Sequence, residues 1–131
     1  GMIRRLSARA MFGALLLIAC GPGIDPRGIE GIEGQDVTVR MFDNRYEYDE
    51  IHIPPGGSVT FVGAGRNAHN AVASDGSWSS EDVFGSLELR EGDEASIDFD
   101  QPGEYNFFCT FHGNADGDGM AGVVMVEVPE E

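Results

Sequence analysis

The sequence predicts an all-β protein, an antiparallel Greek-key β-sandwich, over residues 37–131. Three observations predict it. From Val37 onward the apolar residues recur with a period of two. Glycine- and proline-bearing turns interrupt that pattern at short intervals. No stretch of ordinary helical length carries an apolar period near 3.6.

The strands follow one by one. Val37, Val39 and Met41 alternate with Thr38 and Arg40. Ile51 and Ile53 flank His52, Val59 and Phe61 flank Thr60, and Ile97 and Phe99 flank Asp98. Tyr105, Phe107 and Cys109 share one face, as do Val124, Val126 and Val128. Successive side chains of a strand point to opposite sides, so one buried face writes this alternation. Between the runs stand Pro54-Pro55-Gly56-Gly57, Gly63 to Gly65, Asp75-Gly76, Glu91-Gly92-Asp93 and Gln101-Pro102-Gly103. Glycine supplies the positive φ of tight turns, and proline cannot donate to a strand ladder. Residues 78–90 are the least regular and are expected to hold no more than a short helical turn. Tyr105 enters its strand just after Pro102-Gly103 and resembles a tyrosine corner, which ties such a sandwich to its own upstream backbone.

The first 36 residues read differently. Gly1 precedes Met2 and reads as an added residue. Arg4, Arg5 and Arg9 form a basic segment ahead of the apolar run from Ala10 to Ile18. That run is too short for a membrane-spanning helix but suits a signal peptide. It ends Leu17-Ile18-Ala19-Cys20-Gly21, which resembles the lipobox of bacterial and archaeal lipoproteins. The resemblance implies a signal peptide over 1–19 and a lipidated Cys20. Residues 20–36 are then expected to be the lipidated cysteine and a flexible, acidic, glycine-rich linker. A linker of this kind reaches roughly 20–25 Å root-mean-square. The expected location is a membrane facing the periplasm or cell exterior, held through the lipid.

Charge limits the partners. Eight basic residues, all arginine, stand against 23 acidic ones, a formal net charge of −15. Removing residues 1–19 takes away three arginines and no acid. Nucleic acid is excluded by repulsion from its phosphates. A redox protein with a basic docking face, such as a cytochrome or an oxidoreductase, is the natural partner, although acidity also serves solubility alone. The length supports one folded domain, expected to be a monomer.

The chemistry lies in four positions. His69 stands in Asn67-Ala68-His69-Asn70, and Cys109 ends the Tyr105 run. His112 follows three residues later and Met120 eight after that, just before the last strand. If Cys20 is lipidated, Cys109 is a lone thiol in an exported protein. Copper cycling between its two oxidation states needs ligands that both accept. Thiolate and thioether suit Cu(I), imidazole suits both, and two His with one Cys form a trigonal plane below a weak axial Met.

The run from Gly103 through Cys109-Thr-Phe-His112-Gly, followed by Gly119-Met120-Ala-Gly122-Val-Val, resembles the copper loop of cupredoxins, the family of plastocyanin, pseudoazurin and halocyanin. Pro54-Pro55-Gly56-Gly57-Ser-Val-Thr-Phe61-Val and the His69-Asn70 pair match the same family in order and spacing. The resemblance implies one type 1 (blue) copper ion held by His69, Cys109, His112 and Met120. It implies that Asn70 ties the ligand loops together by hydrogen bonds. It implies a one-electron carrier between membrane or extracytoplasmic partners, with copper handling or delivery as the alternative. No enzyme is expected, because only His52 remains for a second copper centre and Met120 fills the position that a catalytic zinc would keep open.

One departure is visible. Seven residues separate His112 from Met120, more than in the plastocyanin-like loop. Part of the insertion, Asn114 to Gly119, resembles the first half of a calcium loop, but Met125 would stand at its twelfth position and no helices flank it. A turn-rich loop is expected there. His52 is expected to be a solvated surface residue, and Phe111 to contribute to an apolar contact patch around His112.

Overall fold

The computed structural model describes residues 30–129. The segment expected to be a signal peptide, Cys20 and most of the expected linker lie outside the described residues. The described chain runs β1 (Gly31–Glu33), β2 (Asp36–Met41), β3 (Glu50–Ile53), β4 (Gly57–Gly63), β5 (Val72–Ala73), α1 (Ser80–Phe84), β6 (Glu94–Phe99), β7 (Gly103–Gly113) and β8 (Gly119–Val126). The strands form two sheets in the orders β1-β3-β8-β7-β5 and β2-β4-β6.

Alternation places the core between the sheets. β2 and β6 bury every second residue, and their partner β4 buries Val59 and Phe61, with the Phe61 ring against Tyr46, Phe107 and Trp78. The opposite sheet contributes Ile51, Ile53, Phe107, Cys109, Met120, Val124 and Val126. Tyr46 and Phe107 meet edge to face at 4.8 Å between ring centroids, and Phe61 meets Phe107 at 5.3 Å. Such aromatic pairs contribute about 0.5–1.5 kcal/mol each beyond the area they bury. The Tyr105 hydroxyl donates to the Gln101 carbonyl at 2.7 Å, which is the corner expected from its place after Pro102-Gly103.

Three features differ from the sequence expectation. The sheets are mixed rather than antiparallel, since β1–β3, β3–β8 and β2–β4 pair in parallel. A strand buried on one face alternates in the same way whichever direction its neighbour runs, so the period cannot report strand direction. The stretch expected to be a linker through residue 36 enters the fold earlier. Gly31–Glu33 pairs with β3, and Ile32 packs against the core. An edge strand is bonded on one side only, and this pairing with Ile32 burial offsets the entropy cost of its glycine. Val128, expected on the inward face, lies beyond β8 and is 67% exposed.

The irregular segment contains a single helical turn. The Ser79 hydroxyl accepts from the Asp82 amide at 3.2 Å, and Gly85 closes the turn with a left-handed φ of 92°.

Candidate metal centre

β7 and β8 supply the frame of the site. They pair in register as far as Phe108↔Ala121, then again at Gly113↔Gly119. Between these pairs Cys109, Thr110, Phe111 and His112 stand opposite Met120 alone. The resulting bulge brings three sulfur and imidazole side chains to one end of the sandwich. Bulges bend a strand and redirect its side chains in this way. The close approach needs glycine, since a Cβ at Gly119 would meet the His112 carbonyl and φ there is +73°.

The lengthened loop lies beyond this frame. The Asn114 and Asp118 backbones bond across it, and Asn114 Oδ1 accepts from the amides of Asp116 and Asp118 at 2.9 and 3.3 Å. The inserted residues therefore close on themselves as a turn past the Gly113↔Gly119 pair. Met120 directly follows the Gly113↔Gly119 pair and is 1% exposed.

His69 arrives from the other side. Its backbone exchanges two hydrogen bonds with Leu89, at 3.0 and 2.9 Å, and its ring is fully buried. His69 Nδ1 lies 3.8 Å from Cys109 Sγ, and the His69 and His112 ring centroids are 4.9 Å apart. Cys109 is a free thiol with no exposed surface. His112 and its neighbour Phe111 are exposed, Phe111 by 41%. Among the described residues no three His, Cys, Asp or Glu side chains cage an ion by themselves. Met120, buried opposite the bulge, adds a thioether to this end of the sandwich.

Asn70 joins the two sides. Its side-chain amide donates to Thr110 Oγ1 at 2.9 Å and to the Leu87 carbonyl at 3.2 Å, while its Oδ1 accepts from the Thr110 amide at 2.9 Å. The residue beside His69 is thereby fastened to the residue beside Cys109. Sequence reasoning missed two further residues. The Tyr46 hydroxyl donates to the Asn70 carbonyl at 2.7 Å in the core. Burial, and then the electrostatic effect of the neighbouring Cys109, push that phenol well above its ordinary pKa, so it remains a donor. Asp43 Oδ1 lies 3.2 Å from His69 Nε2 and accepts from the Asn67 amide at 3.1 Å. The Asn67 amide, then the His69 hydrogen bond, hold the Asp43 carboxyl below the usual carboxylate range. Asp43 and Tyr46 belong to no motif, and no spacing in the sequence points to them.

His52 is not part of this centre. It was expected to be solvated, but both of its ring nitrogens are engaged, Nδ1 with Glu127 at 3.0 Å and Nε2 with Glu50 at 2.9 Å. The alternation rightly turned it away from the core and gave no sign of the two carboxylates on its own face.

Residues 35–127 match the copper binding proteins of the plastocyanin/azurin family. The chain belongs to that family. This cupredoxin is 27% identical to Amicyanin-alpha of Methylorubrum extorquens strain AM1, over 92% of its own length and 94% of the relative. Its fold superposes with a TM-score of 0.58 on a copper-containing nitrite reductase of Thermus scotoductus, at 27% identity, covering 79% of this chain and 25% of that one. It superposes with a TM-score of 0.55 on the purple cupredoxin of Nitrosopumilus maritimus, at 20% identity, covering 70% of this chain and 99% of that one. The cupredoxin takes one copper ion per chain. A buried free thiol beside an imidazole nitrogen, with a buried thioether and a second imidazole at hand, is a donor set that fits it.

Proposed function

We propose that this cupredoxin is a one-electron carrier whose type 1 copper would be held by His69 through Nδ1, Cys109 through Sγ, His112 and Met120. The observation that carries the reading is the buried Cys109 thiol 3.8 Å from His69 Nδ1, opposite Met120 in the β7–β8 bulge. Copper supplies the redox couple. The chain's residues hold it and exclude water. Cys109, His69 and Met120 are enclosed, whereas His112 reaches the surface beside Phe111. His112 is therefore the path by which the electron enters and leaves, and Phe111 gives a partner an apolar surface to rest on. An enclosed thiolate site holds copper tightly, which favours a carrier over a delivery protein.

The partner is a redox protein with a basic docking face, matched to a formal net charge of −15 for the full chain and −18 once residues 1–19, with three arginines and no acid, are removed. The carrier works outside the cytoplasm, tethered through a lipid on Cys20. A copper-loaded sample tests the site. A strong visible thiolate-to-copper absorption with reversible reduction is expected, and Cys109→Ser is expected to abolish the band. A Cys109→Ser protein that kept the band would overturn the ligand assignment. Cys20→Ala is expected to move the protein from the membrane fraction to the soluble one, and continued membrane retention would overturn the anchor.

A further inference from the structure

The His69 ring is held at both nitrogens, and the group at its outer nitrogen lies far away in sequence. Nδ1 faces Cys109 Sγ, and Nε2 faces Asp43 Oδ1 at 3.2 Å. Asp43 sits in the turn after β2, which closes through the Phe42 amide bonding to the Arg45 carbonyl at 2.9 Å. That turn is tied to the segment leading into His69. The Ala64 amide donates to the Met41 carbonyl at 3.1 Å, and the Asn67 amide to Asp43 Oδ1 at 3.1 Å. Gly65 leaves room for the carboxylate, since a Cβ at Gly65 would land on the Asp43 side chain. The carboxylate is thus fixed by its surroundings before the imidazole meets it.

We infer that Asp43 is a positioning residue for the metal centre: its carboxylate holds the proton of His69 on Nε2 and so keeps the Nδ1 lone pair directed at the site. A neutral imidazole carries one proton, and a carboxylate that accepts from Nε2–H fixes the tautomer and the ring plane. The same hydrogen bond makes the ring a stronger donor. A stronger donor beside an added negative charge favours Cu(II) over Cu(I), so Asp43 lowers the reduction potential. The inference rests on the copper reading above.

Two variants and a control test it in the full-length, copper-loaded protein. Asp43→Asn keeps an acceptor and removes the charge. Asp43→Ala removes both. Asp116→Asn removes an equal charge from the exposed turn without touching His69. In the reduced wild type, 15N-resolved NMR is expected to show a slowly exchanging His69 Nε2–H. That signal is expected to persist in Asp43→Asn and to be lost in Asp43→Ala. The Cu(II)/Cu(I) equilibrium is expected to shift about ten-fold toward Cu(I) in Asp43→Ala, which is 59 mV upward for one electron. Asp43→Asn should fall between, and Asp116→Asn should stay at the wild-type value. Copper affinity is expected to fall about 10–100-fold in Asp43→Ala, as for other carboxylates behind a metal-bound histidine. An unchanged potential and an unchanged Nε2–H in both Asp43 variants would overturn the inference. A potential that moved equally in Asp116→Asn would also overturn it, because remote charge would then be the cause. A wild-type protein without the thiolate-to-copper band would instead overturn the proposed function.

Discussion

Asn70 makes three hydrogen bonds with one side chain, two with Thr110 on the Cys109 strand and one with the Leu87 carbonyl. Asn70→Ala leaves the Thr110 amide and the Leu87 carbonyl without these partners. Losing them is expected to cost about 1–3 kcal/mol, read as a lower midpoint in urea with an unchanged slope. Asn70→Asp keeps the acceptor for the Thr110 amide but buries a carboxylate against the Leu87 carbonyl, so it should cost at least as much as Asn70→Ala. At this scale much of the centre was legible. The described chain has three histidines and one cysteine, and the order His69, Cys109, His112, Met120 leaves few other arrangements. Asn70 was legible only through its place beside His69 in a familiar motif. Asp43 and Tyr46 were not legible, because their contacts depend on the path of the loop between β2 and β3. A loop's path follows from packing against distant elements and leaves no periodicity behind.

At the scale of elements, alternation reported which residues face the core and was silent on direction. It therefore found β2, β3, β4, β6, β7 and β8 and missed that three of the pairings are parallel. It also missed β1, whose three residues are too few to alternate visibly. The join of β3 to β8 carries a pH-dependent feature. His52 on β3 stands between Glu50 and Glu127, with Glu33 of β1 as its register partner on the other side. Burial lowers the His52 pKa, but the hydrogen bonds and charges of Glu127 and Glu50 oppose this and leave it raised. A raised value in the folded state means that protonation favours folding. The stabilisation is full below the ordinary histidine value of about 6.5 and is lost as pH rises through the raised value. An NMR titration is expected to place the His52 midpoint above 6.5, and Glu127→Gln should bring it down. Relative to His52→Gln, the wild type should lose thermal stability between pH 6 and pH 8. Parallel stability curves for the two proteins would show that the carboxylates hold His52 no better when folded than when unfolded.

For the whole molecule, charge and exit face divide the work of meeting a partner. The formal charge, −15 for the full chain and −18 without the three arginines of residues 1–19, acts over the Debye length, about 30 Å at 0.01 M salt and 10 Å at 0.1 M. Few cations offset it on the described surface. Of the four arginines among the described residues, Arg40, Arg45 and Arg90 are engaged with Glu47, Glu30 and Glu88 at 2.8, 3.3 and 2.7 Å, and Arg66 is exposed. The face at His112 and Phe111 carries no such charge on its own side chains, but the turn that follows bears Asp116 and Asp118. Long-range attraction should therefore set the rate of encounter, and apolar contact at Phe111 the closeness of approach. Small redox complexes of opposite charge separate these terms. Electron exchange with a cationic complex is expected to slow by ten-fold or more between 0.01 and 0.1 M salt, and exchange with an anionic complex to quicken. Asp116→Asn should weaken the cationic dependence and leave the potential unchanged, because its side chain touches none of the four proposed ligands. Phe111→Ala should slow exchange with a protein partner at high salt, where steering is screened and contact remains. Rates that ignored salt for both complexes would mean that the acidic surface plays no part in docking and serves solubility alone.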